Sequence, residues 1–245
     1  MNPPPADAAP SGDGSTPPPD GHRTHEEQVA WGIPSSGESR LPPLLATVVA
    51  IALQVALPNR LISSLGPHWL IPAVESALLV VLIVTNPHRV DREESNLRLV
   101  SLAMIAVITV ANMLDLGELI RALLDATHAG GRALVFASVP IWITTVIVFG
   151  LWFWELDRGG VSARMLPTHR APDFLFPQMA TPGAAIDWTP SFIDYLYTSF
   201  TNATAFSPTD TMPLTPWAKL LMMVESLASL LTVGLVIARA VNILA

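Results

Sequence analysis

The sequence predicts an all-α integral membrane protein with five transmembrane helices and one re-entrant helix. Three observations carry that prediction. Hydrophobic residues make up 51% of the 245 positions and charged residues 13%, about half the usual quarter. The apolar residues fall into five runs near the ~20-residue length that carries a helix across a ~30 Å hydrocarbon core. One further helical segment, 190–204, is too short to span and too polar to face lipid. The same composition excludes an ordinary soluble globule. The net charge of −7 gives no field for a phosphate backbone, so no nucleic acid is expected as a partner. The chain has no cysteine, which removes disulfide frameworks, thiolate catalysis, iron–sulfur clusters and Cys-type zinc sites.

In chain order, residues 1–40 form the first unit. Proline triplets at 3–5 and 17–19 and the charged patch at His25-Glu26-Glu27 bury too little apolar surface to offset ordering entropy, so a disordered Pro-rich tail is expected. No basic stretch precedes an apolar run near Met1, unlike a signal peptide. The second unit, 41–130, holds three spans. Span 41–57 opens with Pro42-Pro43 and ends at Pro58. Span 69–85 starts at Trp69 and ends before Asn86-Pro87. Span 97–116 carries Asn112 and Asp115 near its far end.

The third unit, 131–245, begins with span 133–154. It closes on Trp152-Phe-Trp154-Glu155, an aromatic belt followed by charge. A long loop, 156–189, leads to the short helix. Thr189 suits its N-cap and Pro190 its first turn. Asp194, Thr198, Ser199, Thr201 and Asn202 make it polar, so at membrane depth it must be shielded by protein. A non-helical stretch, 205–215, precedes the last span, 217–244.

The order span, loop, short helix, non-helical stretch, span resembles the pore module of two-span potassium channels over roughly 133–243. Phe200-Thr-Asn-Ala-Thr204-Ala-Phe-Ser-Pro-Thr-Asp210-Thr-Met-Pro213-Leu-Thr215 aligns without a gap on F-T-T-x-T-T-V-G-Y-G-D-x-x-P-x-T. Phe200, Thr201, Thr204, Asp210, Pro213 and Thr215 match. Lys219-Leu-Leu-Met-Met-Val-Glu225-Ser-Leu, and Val236 through Arg239, are similar to the family's inner helices. The resemblance implies a pore-like helix, a filter-like loop of Thr204, Ala205, Phe206, Ser207, Pro208, Thr209 and Asp210, and assembly as a homotetramer. It does not extend to 1–130. The departure falls on the filter. Ser207 and Thr209 replace the two glycines that give the backbone its freedom, and Pro208 fixes its own φ and restricts Ser207. Potassium selectivity is therefore not carried over, and a weakly selected monovalent cation is expected.

Individual residues then divide between chemistry and structure. Asp210 occupies the outer-mouth position, where four copies would make a cation-concentrating ring; Pro208-Thr-Asp-Thr is equally good turn chemistry. Glu225 begins a stripe at helical spacing with Ser229, Thr232 and Arg239. That stripe either lines a pathway or packs against the short polar helix, with Glu225 bonded to Asn202, Thr201 or a nearby hydroxyl. Ser229 stands near the place of a hinge glycine in the family. Glu75 is expected to reach the interface, with a partner such as Asn112 or a proton pathway as the alternatives. Asn202-Ala-Thr204 matches a glycosylation triplet by chance.

No nucleophile elbow, phosphate loop or H-x-x-x-H motif is present, so no enzyme, cofactor or metal site is expected. A pore of this family puts the loop after span four outside. Arginine counting puts Arg89, Arg92, Arg98, Arg158, Arg164 and Arg170 on one side against Arg60, Arg121, Arg132 and Arg239, which favours the reverse. The reading is a multi-pass cell-membrane protein, partnered by the lipid bilayer and its own copies, that conducts cations. The alternative is a non-conducting protein that uses the pore fold as an assembly or interaction scaffold.

Overall fold

The computed structural model describes residues 38–57, 70–85, 95–124, 131–165, 171–181, 188–204 and 210–244. The helices α1 (Leu41–Val55), α2 (Leu70–Thr85), α3 (Ser95–Leu124) and α4 (Gly131–Leu156) come first. A 3-10 turn (Asp157–Gly159), α5 (Val161–Arg164), β1 (Phe174–Leu175) and α6 (Pro177–Ala180) fill much of the long loop. Then follow α7 (Phe192–Thr204), β2 (Met212–Pro213) and α8 (Pro216–Leu244). Between the helices, β1 and β2 form a two-stranded antiparallel ladder. It pairs Phe174 with Pro213 and Leu175 with Met212.

Among the described residues three helices are long and apolar enough to cross a membrane: Arg98–Leu124, Phe136–Gly159 and Pro216–Ile237. Of the five spans expected, the first two form shorter apolar helices, Leu41–Val55 and Leu70–Val84. Pro42 and Pro43 sit in the first turn of α1, where their missing N–H groups go unused. At the rise of an α-helix, α1 reaches only about 23 Å. The third helix runs past its expected end at 116 to Leu124, with Glu118 and Arg121 paired at 2.8 Å on its surface.

The hub is α4. Of its spanning window 67% is buried, against 28% for α8, and α1, α3, α7 and α8 all pack on it. Gly150 lets α7 come close: a Cβ there would stand 3.1 Å from the Leu196 Cα. Phe149, Phe153, Phe174, Phe176, Tyr195 and Trp154 form an aromatic core at the α4 C-terminal end, with rings meeting edge-on or tilted. Offset and edge contacts suit the ring quadrupoles.

Candidate functional site

The element with the most polar chemistry is α7. Ser191, not Thr189, takes the position before its first helical residue. The Asp194 carboxylate accepts from the Ser191 N–H at 2.7 Å and from its hydroxyl at 2.8 Å. Both donors belong to Ser191, and the Asp194 N–H returns to the Ser191 carbonyl at 3.0 Å; this one-sided cap moves the start from 190 to Phe192.

The N-terminal half of α7 rests against the C-terminal end of α4 in a network of buried charges. The Tyr195 hydroxyl donates to Asp157 Oδ2 at 2.6 Å. Asp157 Oδ1 accepts from the Asp173 N–H at 2.8 Å, and Asp173 Oδ2 from the Arg158 N–H at 2.7 Å. Trp217, at the start of α8, donates to Asp173 Oδ1 at 2.9 Å. The Leu214 N–H donates to the Asp173 carbonyl at 2.8 Å. Arg164 donates through Nε and Nη2 to both oxygens of Glu38, each at 2.9 Å, and through Nη1 to the Trp154 carbonyl at 2.6 Å. Its guanidinium carbon lies 5.4 Å from the Tyr195 ring centroid and 5.9 Å from that of Trp154.

Arg158 and Arg164 are each 1% exposed. Buried charges of this kind persist only when paired and hydrogen-bonded. Burial raises the Tyr195 pKa well above the ordinary phenol value, which keeps it the donor to Asp157. The turn that builds the network is tight: Arg158, Gly159 and Gly160 have φ of 56°, 90° and 105°. Two glycines accept that conformation at no steric cost, and the Asp173 bond helps hold Arg158 in it.

At its other end α7 reaches the middle of the long helices. Ser199 donates to the Val146 carbonyl at 2.7 Å and contacts Glu225 through a short hydrogen bond. Asn202 Nδ2 donates to Glu225 Oε2 at 2.6 Å and to the Met222 carbonyl at 2.9 Å. Ser226 donates to Asn202 Oδ1 at 3.1 Å. Ser229 donates to the Ala203 carbonyl, one of the free carbonyls at the end of α7, and accepts from Trp142 Nε1 at 2.7 Å. Trp142 also meets Phe200 edge-on at 5.8 Å.

Ser229 lies about 20 Å along α8 from Pro216 at 1.5 Å per residue. The C-terminal end of α7 is thus deep between α4 and α8, while its start is level with their loop-side ends. The chain then comes back. Thr211 lies 3.2 Å from Thr198, hydroxyl to hydroxyl, and β2 pairs with β1.

Of the expected site residues, Thr204 and Asp210 bracket the return, with Thr204 half-buried and Asp210 exposed. Ala205, Phe206, Ser207, Pro208 and Thr209 lie outside the described residues. Glu225, Ser229 and Thr232 are 0%, 1% and 2% exposed. Within the chain these three face α4, α7 and their own helix. Thr232 bonds the Ala228 carbonyl at 2.8 Å. Arg239 belongs to α8, and its side chain lies outside the described residues. Glu75 does not reach the interface. It is fully buried, and Gln54, with its amide turned to donate, bonds both carboxylate oxygens at 2.9 and 3.0 Å. Asn112 bonds Thr145 at 2.8 Å instead of Glu75.

Sequence reasoning missed Glu38, Asp157, Arg158, Arg164, Asp173 and Tyr195 as one cluster. Glu38 stands inside the stretch read as tail and is 8% exposed. A local signal existed in Glu155-Leu-Asp157-Arg158-Gly-Gly160, where charges and paired glycines follow an apolar span with no spacer. Among the described residues no group of three or more His, Asp or Glu could hold a metal ion. No family model, no curated protein and no solved structure matches the chain.

Proposed function

We propose that this protein is an ion-channel-like membrane protein, a weakly selective cation pore built from four copies. In this reading all five apolar helices cross the cell membrane and α7 is a re-entrant, pore-like helix. One observation carries it. A 13-residue helix rich in hydroxyls and amides enters between α4 and α8, stops at mid-length against Ser229, and hands the chain back to a strand beside its own start. Lipid cannot satisfy such a backbone turn at depth, whereas protein and a water-filled axis can.

Two further features support the reading. The polar turn at Thr201, Asn202 and Thr204 ends where the filter-like residues 205–209 begin, so the stretch that would meet the ion starts at mid-membrane. Beside it, Ile193, Tyr197 and Phe200 of α7 and Met223, Leu227 and Leu230 of α8 are exposed in the single chain. Neighbouring copies would cover them. Ser207, Pro208 and Thr209 give no glycine freedom to a carbonyl filter, hence weak selection.

The test is reconstitution of the purified chain into planar bilayers, with reversal potentials in potassium against sodium. Cation currents with a permeability ratio near unity are expected. Strong potassium selectivity contradicts the filter argument. Silence from protein shown to be inserted and tetrameric favours the non-conducting scaffold.

A further inference from the structure

At the α4 C-terminal end, Arg158 and Arg164 have close carboxylate partners, whereas Arg40 and Arg98 do not. Glu155 is 5% exposed, and Arg164, Arg40 and Arg98 all act on its charge, with Glu38 the other carboxylate in range. Glu38 is taken up by Arg164 on both oxygens. That leaves Arg40 and Arg98 sharing Glu155. Arg98 Nε comes no closer to it than 4.0 Å. The Nε atoms of both Arg40 and Arg98 are buried and without a hydrogen-bond partner. A buried donor left unmatched calls for a missing acceptor. Burial lowers the Arg40 pKa below the ordinary arginine value, and Glu155 opposes the shift without cancelling it.

The surroundings say what kind of acceptor fits. Arg40 borders a narrow cleft between α1, α2, α3 and α4, walled by Pro43, Leu44, Leu82, Met104 and Leu151. Arg98 borders a wider groove between α3, α4 and α8, walled by Trp152, Leu156, Leu220 and Leu221. Asp173 also faces that groove, but both its oxygens are already bonded, to Trp217 and to the Arg158 N–H. The tryptophans mark the level of the membrane interface. Guanidinium donors at headgroup level above apolar grooves match a lipid phosphate with its chains below.

We propose that Arg40 and Arg98 form a binding site for the phosphate of an anionic phospholipid, its acyl chain lying in the α3–α4–α8 groove. The site requires membrane residence but neither conduction nor tetramer formation.

The test is native mass spectrometry of the full-length chain in mild detergent, titrated with phosphatidylglycerol or with phosphatidylcholine of the same acyl chains. At least a fivefold preference for phosphatidylglycerol is expected. The R40Q/R98Q double variant should lose that preference, and R121Q, at the far end of α3, should keep it. Should the double variant not fold, R98Q alone is read, since its side chain is 36% exposed; it should lower the preference at least twofold. Millimolar inorganic phosphate should not displace the lipid. Equal retention of the two lipids, an unchanged preference in the folded arginine variants, or displacement by free phosphate would each overturn the proposal.

Discussion

The two ends of α7 are held by different chemistry. The loop-side end sits on ions: Asp157, Arg158, Asp173, Arg164 and Glu38, all nearly inaccessible. They are contributed by the segment before α1, the turn after α4, α5 and the residue just before β1. The deep end is held by hydroxyls, an amide and the single carboxyl of Glu225. Removing one ion strands its partner in a low-dielectric site, while removing one neutral donor leaves a smaller unmet need. The loop-side end therefore behaves as a fixed anchor. The deep end, beside residues 205–209, is the end where modest changes are affordable.

The largest effect follows from breaking the anchor. Arg164→Ala leaves Glu38 buried without its bidentate partner and should cost about 3–5 kcal/mol, read from unfolding in mixed micelles. Glu38→Ala with Arg164→Ala should cost less than the sum of the two single changes, since each removes the other's stranded charge. Tyr195→Phe deletes one hydrogen bond to a carboxylate and should cost about 1.5–3 kcal/mol, with the pair to Glu38 intact.

At the deep end, Glu225→Leu takes one partner each from Ser199 and Asn202, which keep the Val146 and Met222 carbonyls, and should cost about 1–3 kcal/mol in all. Glu225→Gln keeps shape and most bonds and should assemble normally. If Glu225→Leu proved costlier than Arg164→Ala, the contrast between the ends would be reversed. The smallest effect on stability belongs to Asp210, which is exposed. Asp210→Asn should leave unfolding within ~0.5 kcal/mol. In bilayers it should lower conductance at low salt, an effect lost at high salt because screening acts over about 8–10 Å at physiological strength.

The sequence and the structure agree best where a single physical signal dominates. Long apolar runs gave α3, α4 and α8, because nothing but a helix can bury its own backbone in lipid. Their ends moved by up to eight residues, the largest shift being at α3, where polar residues such as Glu118 and Arg121 end the apolar run but not the helix. The chain segment around α7 was readable as a short polar helix, but its cap was not. Thr189-Pro190 and Ser191-Asp194 are both good starts, and only the two bonds that Ser191 donates to the Asp194 carboxylate decide between them.

Glu225 beside Asn202 could be read from helical spacing plus the polarity of α7. The anchor could not. Its members are spread from Glu38 to Trp217, and no periodicity links them. Arg158 and Arg164, counted as loop charges in the topology argument, are buried in ion pairs. Glu75 failed for a similar reason: Gln54, its partner, lies on a different helix.

The central claim is that α7 enters from one side of the membrane and the chain leaves by the same side. The absence of cysteine makes this directly testable, because each single-cysteine variant carries one label site. Ser191→Cys, Asp210→Cys and Asn242→Cys, in sealed vesicles of known orientation, would be treated with a membrane-impermeant maleimide. The account predicts that positions 191 and 210 react from the same face and 242 from the opposite face. Labelling of 191 and 210 from opposite faces would mean that α7 crosses the membrane, and would contradict the account.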